Sequence, residues 1–479
     1  MAMRTYPAIK LDLNSKTPVF MQLAAELETL IQTERLGAGQ MLPSSREFAR
    51  FLFISRGTVV HAYEILTAKG LVLGMKGKGL VVASAPSYAE PQKTTELTAH
   101  QGANDFLHSQ PDEPLAVEDV TKAAVPQALL PSKRWRELVM KHCNELGRTY
   151  QIDALGAIEL RTAVCRFLSA TRGVVCTPEQ ISVYTNTDQA LDTIARLLVQ
   201  QGDTVIIEEP GYIGVANIFS ASGAKIIANR IDDKGMVVDS LSKLSAPPKV
   251  LYTTPISQDP TGIVMPDRRQ NDLIEWAKRN DCTIVEDSWD TDFWHGRTSA
   301  PCMQQRAPEQ IIYLYSFWKL LFPLSNACFL VAPKRLTPQL RRLRALINRP
   351  PISIELLALT DLLQNGEIDA LAAKLQKSYR KRRQALIFSL SKAFGRSIQI
   401  ATAGGGTHII VQFKIEVARE IILEEAKACG LKLLSLDDYY FDGRTTNQFV
   451  MYFTSVSTTS IDEQVQRFFE ALHVYWPFR

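Results

Sequence analysis

Ser316 and Lys319 form a Ser-x-x-Lys pair at the end of Ile-Ile-Tyr-Leu-Tyr, an apolar, strand-like run that starts at Ile311. A lysine amine attacks carbonyl carbon only where its deprotonated form is available, so Lys319 at such a strand end is a candidate nucleophile. The segment alone suits a surface lysine in a turn equally well. Other segments bear on the choice. Thr185-Asn186-Thr187 opens a helix directly after the strand-like Ile181–Tyr184, and N–H groups and hydroxyls at a helix start suit a phosphate. Three more apolar runs end in polar loops. Val205–Ile207 precedes Glu208-Glu209-Pro210-Gly211-Tyr212. Val250–Tyr252 precedes Thr254-Pro255 and Asp259-Pro260-Thr261-Gly262. Cys282–Val285 precedes Glu286-Asp287. Strand ends of this kind line the ligand crevice of an open α/β sheet.

The elements that must position these residues begin near Leu130. From there helices alternate with short apolar strands, which predicts an α/β domain with a parallel sheet. A chain of 479 residues exceeds one ordinary core, so two or more domains are expected. Hydrophobic content of 46% and charged content of 22% describe a globular protein. No run reaches the length of a membrane span, and the first residues lack the apolar core of a signal peptide. Seven scattered cysteines without a Cys-x-x-Cys pair point to reduced thiols in a cytoplasm and away from a zinc site.

Residues 1–83 carry ten Lys and Arg against six Asp and Glu, an excess equal to the net +4 of the whole chain. A nucleic-acid-facing module on a neutral body has this distribution. From Pro18 this part reads as three helices and a hairpin. Val19, Leu23, Leu27, Leu30 and Ile31 recur at helical spacing, and Gly37 to Gly39 would end that helix. Ser44-Ser45-Arg46-Glu47 starts a capped second helix with Phe48, Leu52 and Phe53 beyond it. Ser55-Arg56-Gly57-Thr58 starts a third, with Val59, Val60, Tyr63, Leu66 and Leu71 on its apolar side. Leu71–Leu73 and Leu80–Val82 flank a glycine-rich tip holding Lys76 and Lys78. The pattern is a winged helix-turn-helix whose third helix enters the major groove. Ser45, Arg46, Ser55, Arg56 and Thr58 are candidate phosphate and base contacts. Lys76 and Lys78 would meet phosphate or the minor groove, although hairpin tips are also basic for solubility alone. Residues 84–125 lose apolar periodicity and read as a linker. Residues 126–479 then form the α/β domain.

Pro18 to Val82 closely resembles the GntR-type winged helix, through Leu-Pro-Ser-Ser-Arg-Glu, Ser-Arg-Gly-Thr-Val, Ala62-Tyr63-Glu64 and the Gly-Lys-Gly tip. Residues 130–475 resemble the fold-type I aminotransferases segment by segment. Joined, the two resemble the MocR/GabR family of transcriptional regulators. The resemblance implies a DNA-binding regulator that forms head-to-tail homodimers and responds to an amine or amino-acid effector. It also implies pyridoxal 5′-phosphate (PLP) held covalently by Lys319. Ser316 and the turn Thr185, Asn186 and Thr187 would take its phosphate, Asp287 its pyridine nitrogen, and Tyr212 would stack on the ring. No residue is assigned a catalytic role.

Several positions depart from the family pattern. Asn326 stands where an arginine usually reaches the phosphate, and Cys328 replaces a glycine. Trp289 replaces a tyrosine, and Thr185-Asn186-Thr187 replaces Ser-Gly-Ser. Tyr150 lies one residue off the usual spacing to Gly156. Gln448–Thr454 lacks the arginine that grips a substrate carboxylate, with Arg444 nearby. Gly404 to Gly406 suggest close backbone approach before His408, which reads as a packed strand residue. These changes argue against efficient transamination. Two other readings stay open: a working aminotransferase, and a regulator whose old cavity has lost the cofactor.

Overall fold

The computed structural model describes residues 9, 11–12, 15, 17–33, 35–75, 79–83, 125–145, 153–244, 247–294, 301–347, 353–401 and 405–475. Lys76, Lys78, Tyr150, Gly404 and nearly all of the 84–125 segment lie outside them. The chain divides into two compact units, Met1–Thr98 and Ala99–Arg479.

In the first unit, α1 (Val19–Gln32), α2 (Ser45–Phe51) and α3 (Arg56–Ala68) precede a hairpin of β1 (Val72–Met75) and β2 (Gly79–Val82). Leu23, Leu27 and Leu30 of α1 meet Phe48, Val59, Ala62, Leu66, Val72 and Val82 in one core. Each fully buried leucine contributes about 2 kcal/mol through the water it displaces. Helix α1 ends at Gln32, short of the Gly37–Gly39 stop expected above. Residues 39–42 instead bond to β2, with Gly39 N–H donating to Val82 O and Leu42 N–H to Leu80 O. The glycines therefore serve the turn into that pairing. A capping box starts α2: Glu47 N–H donates to Ser44 Oγ, and Ser44 N–H to the Glu47 carboxylate. Phe53 does not join the apolar face; it is 93% exposed, with φ at 54°.

The second unit is built on an eight-stranded sheet. Its strands are β3 (Ile181–Tyr184), β4 (Thr204–Glu209), β5 (Lys225–Asp232), β6 (Gly235–Met236), β7 (Val250–Thr253), β8 (Thr283–Ser288), β9 (Ile311–Ser316) and β10 (Cys328–Val331). They lie in the order β3-β10-β9-β8-β7-β4-β5-β6. The sheet is mixed, because β10 runs antiparallel to β3 and β9, and β6 to β5. Residues 317–327 are too few for a parallel crossover, so β10 must fold back beside β9. A second, antiparallel sheet holds β11 (Ile398–Ala401), β12 (His408–Phe413), β14 (Gln448–Tyr452) and β13 (Leu433–Ser435) in that order. Apolar strand residues such as Val205, Ile284 and Leu314 are fully buried between flanking helices. At Gly156, φ is 111° and a Cβ would lie 2.6 Å from Val183 Cγ2, so only glycine lets this loop cross β3. Among the described residues no helix is long and apolar enough to cross a membrane.

Candidate functional site

Strands β3, β4, β7, β8 and β9 run parallel, so their carboxyl ends share one edge of the large sheet. Lys319 lies there, in a short helix, Trp318–Leu321, directly after β9. It is 1% exposed, and its Nζ donates to Thr407 Oγ1 at 3.3 Å. Burial lowers the amine below its ordinary 10.5, while Asp290 and Asp259 pull it back up. A lowered amine is the state a nucleophilic lysine needs.

Asp287, near the end of β8, is buried and accepts a hydrogen bond from Tyr252 Oη at 2.8 Å. Burial raises its carboxyl to about 7 even though Tyr252 favours the charged form. Ser316 ends β9, and its Oγ accepts from Trp318 N–H at 3.1 Å, turning the chain into the lysine helix. Asn186 caps the Thr187–Leu198 helix by accepting from Gln189 N–H at 2.8 Å. Thr185 donates through both its N–H and its hydroxyl to Gln189 Oε1 at 3.1 Å. Tyr212 donates to Asp188 Oδ1, in the first turn of the same helix, at 3.1 Å. A Cβ at Gly214 would lie 2.4 Å from Cζ of that tyrosine, so glycine gives the ring its place. Tyr212 feels the charges of Asp188, Asp259 and Asp287, and Asp259 feels those of Lys319, Asp287 and Asp290. The predicted residues thus gather at the carboxyl edge of the large sheet, with Lys319, Asp287 and Tyr212 linked electrostatically through Asp259.

Sequence reasoning gave no role here to Asp290, Trp318 and Tyr452, and named Asp259 and Trp289 without tying them to Lys319. Asp290 is fully buried and accepts from Thr407 N and Oγ1, each at 2.9 Å; burial raises its carboxyl to about 6. Asp259 is half-buried and raised to about 8, by its withdrawal from water first, with Lys319 opposing. Trp289, Trp318 and Tyr452 surround Lys319 Nζ. Position gave a signal for Trp289, directly after β8, and for Trp318, beside the lysine. Glu208 accepts from the hydroxyls of Thr253 and Thr254 at 2.6 Å and ties β4 to the loop that carries Asp259. His408 is buried, donates through Nε2 to Pro260 O and stacks on Trp289. At Gly406 φ is 91° and a Cβ would lie 3.0 Å from Asp290 Oδ2, which is close backbone approach. Asn326 is half-buried just before β10. Arg444 stays outside the crevice: it is exposed and paired with Asp442.

In the first unit, Ser55 caps α3 by accepting from Thr58 N–H at 3.1 Å, and the two hydroxyls lie 2.8 Å apart. Arg56 Nε donates to Ser45 Oγ at 3.4 Å, joining the starts of α2 and α3. Arg46 and Arg56 are exposed. This places four of the five described candidates in one cluster at the helix starts, with Arg46 beside it on α2.

Comparison with known proteins places both units. The profile of the aminotransferase class I and II family matches residues 119–425. The chain belongs to that family. The profile of the gntR family of bacterial regulatory proteins matches residues 21–82. Among similar proteins, the probable rhizopine catabolism regulatory protein MocR of Rhizobium meliloti is 26% identical over 468 residues, 95% of this chain and 94% of that one. The HTH-type pyridoxine biosynthesis transcriptional regulator PdxR of Corynebacterium glutamicum is 26% identical, covering 93% of this chain and 94% of its own. Among solved structures, the α-aminoadipate aminotransferase LysN of Thermus thermophilus superimposes with a TM-score of 0.68 at 21% identity, over 78% of this chain and 97% of that one. A multiple substrate aminotransferase from Thermococcus profundus gives 0.66 at 21% identity, over 76% and 95%. A gntR-type module joined to this aminotransferase-like unit is the architecture of MocR-type, DNA-binding transcriptional regulators.

The aminotransferase family binds PLP. The donor set of the crevice suits that group. A buried amine faces a crevice that also holds a buried carboxyl suited to a pyridine nitrogen. A capped helix start and an aromatic ring complete the set. Asn326, where the resemblance puts an arginine, would offer a phosphate an amide in place of a guanidinium.

Proposed function

We propose that this regulator holds PLP through Lys319 and reads an amine-related effector with the same crevice. The carrying observation is Lys319 itself, a lysine withdrawn from water at the sheet edge that also holds Asp287, Tyr212 and the Thr185–Thr187 turn. When bound, PLP supplies an electrophilic carbon and an electron-withdrawing ring. Asp287 would hold a proton at the ring nitrogen. Thr185, Asn186, Thr187 and Ser316 would receive the phosphate, and Tyr212 would cover one face of the ring. Efficient turnover is not expected, because Gln448–Thr454 offers no arginine for a substrate carboxylate. On the DNA side, Ser45, Arg46, Ser55, Arg56, Thr58, Lys76 and Lys78 would contact the duplex, in a cytoplasmic head-to-tail homodimer with residues 84–125 as linker between 1–83 and 126–479.

The test is PLP titration of wild type and Lys319→Ala, read by visible absorption and by protein mass after borohydride. The expected result is a new band and a fixed PLP adduct on wild type alone. No band on either protein would sink the cofactor reading.

A further inference from the structure

The helix Ile158–Arg172 ends at Gly173, whose φ of 73° turns the chain back along the helix it has just left. Val174 N–H then donates to Leu168 O at 3.4 Å, and Ser169 Oγ to Val174 O at 2.9 Å. Leu168 and Ser169 lie three and four residues after Cys165, on the same helix face. The returning chain therefore carries Cys176 to Cys165. Cys165 Sγ donates to Cys176 O at 3.4 Å, and the two sulfurs lie 3.7 Å apart. Both residues keep partial exposure, so a small solute can reach them. Among the described residues no other two thiols make such a contact. Bonded sulfurs lie about 2 Å apart, so the pair needs to close by less than about 2 Å.

We propose that Cys165 and Cys176 form a reversible dithiol site, which a hydroperoxide such as hydrogen peroxide oxidises to an intramolecular disulfide. Burial first, then the charge of Cys165, pushes the Cys176 thiol up, so Cys165 meets the oxidant and Cys176 resolves. The Cys165 thiolate attacks one peroxide oxygen and becomes a sulfenic acid. The O–O bond breaks, and the hydroxide expelled takes up the proton that Cys165 released. Cys176 Sγ then attacks the Cys165 sulfur, the S–O bond breaks, and a second water leaves with the Cys176 proton. Two thiols lose two electrons in all, and the peroxide is reduced to two waters. A dithiol such as dithiothreitol reverses the bond by exchange. The bond fastens the loop that leads to β3 onto the helix. Val175 in that loop donates to Gln304 Oε1 at 2.9 Å and accepts from its Nε2 at 2.8 Å, while Gln304 N–H donates to Glu286 Oε2 on β8 at 2.7 Å. The locked loop is thus already tied to the strand that carries Asp287. Lys319 and the cofactor have no part in this chemistry.

The test treats the reduced full chain with hydrogen peroxide, removes the excess with catalase, and labels free thiols with N-ethylmaleimide in denaturant. Two of the seven cysteines should escape the label, and the unlabelled protein should lose the mass of two hydrogens. A peptide map should join the Cys165 peptide to the Cys176 peptide, and dithiothreitol should restore both labels. Cys302, which is 2% exposed and pushed up to about 12 by burial, lies close enough to act on Cys176. Cys302→Ser should nevertheless form the bond as wild type does, and Cys165→Ser should form none. Should a variant misfold, the wild-type peptide map decides alone. Seven labelled cysteines after peroxide, a bond between any other two, or oxygen added to Cys165 or Cys176 without a bond overturns the proposal.

Discussion

Burial favours the neutral form of every titratable group, so it lowers the Lys319 amine and raises the Asp259, Asp287 and Asp290 carboxyls together. For Asp287 the consequence has a definite sign. Its carboxyl lies near 7 when folded and near 3.8 otherwise, so the folded chain binds the extra proton between those values. Stability from this group is therefore lost as pH rises through that window. Asp287→Asn should leave PLP-free protein as stable as wild type at about pH 4 and more stable at about pH 8. Thermal melts of both proteins across that range check this, and parallel curves would contradict it. The same variant should bind PLP more weakly, because the ring nitrogen loses its carboxylate. Asn326 offers the opposite change. A charged hydrogen bond contributes about 1.5–3 kcal/mol, so Asn326→Arg should tighten PLP binding by about tenfold or more. A PLP titration with unchanged midpoint would show that residue 326 does not reach the phosphate.

At the scale of elements, the turn between α2 and α3 holds an avoidable cost. Phe53 adopts a left-handed conformation at φ 54° while almost fully exposed, so no packing offsets the strain. A left-handed L-residue costs roughly 1–2 kcal/mol, and glycine avoids most of it. Phe53→Gly should slow hydrogen exchange in α2 and α3, matching about 1 kcal/mol of added stability. Faster exchange would mean that the ring makes a stabilising contact. This residue also marks where the sequence stops being legible. Period and caps located α2, α3, the hairpin and four parallel strands, because those signals are local: Ser44 with Glu47, Ser55 with Thr58, Ile181–Tyr184. Phe53 read as core because hydrophobicity does not encode φ. The end of α1 was misread because Gly39 and Leu42 pair with β2, a contact some 40 residues away in the chain. Asp287 and Lys319 were legible as strand-end residues. Tyr452 and Asp290 were not, since their approach to Lys319 depends on how β14 and the turn after β8 fold around it.

For the molecule as a whole, an aminotransferase-like unit and a gntR-type unit in one chain form a ligand-controlled regulator only if their ligands are coupled. Coupling is a free energy, and it is reciprocal. If PLP changes the affinity for DNA by some factor, that DNA must change the affinity for PLP by the same factor. Typical couplings of about 1–3 kcal/mol correspond to about 5- to 150-fold, well within measurement. The experiment uses the full chain and a duplex that it selects from random sequence. DNA affinity is measured with and without PLP, and PLP affinity with and without the duplex. Equal factors are expected for wild type. Lys319→Ala should bind the duplex with an affinity that no longer responds to PLP, because the group that distinguishes the loaded state is gone while α2 and α3 are untouched. A wild-type DNA affinity indifferent to PLP and to amines alike would separate the units functionally, and the crevice would then act on something other than DNA reading.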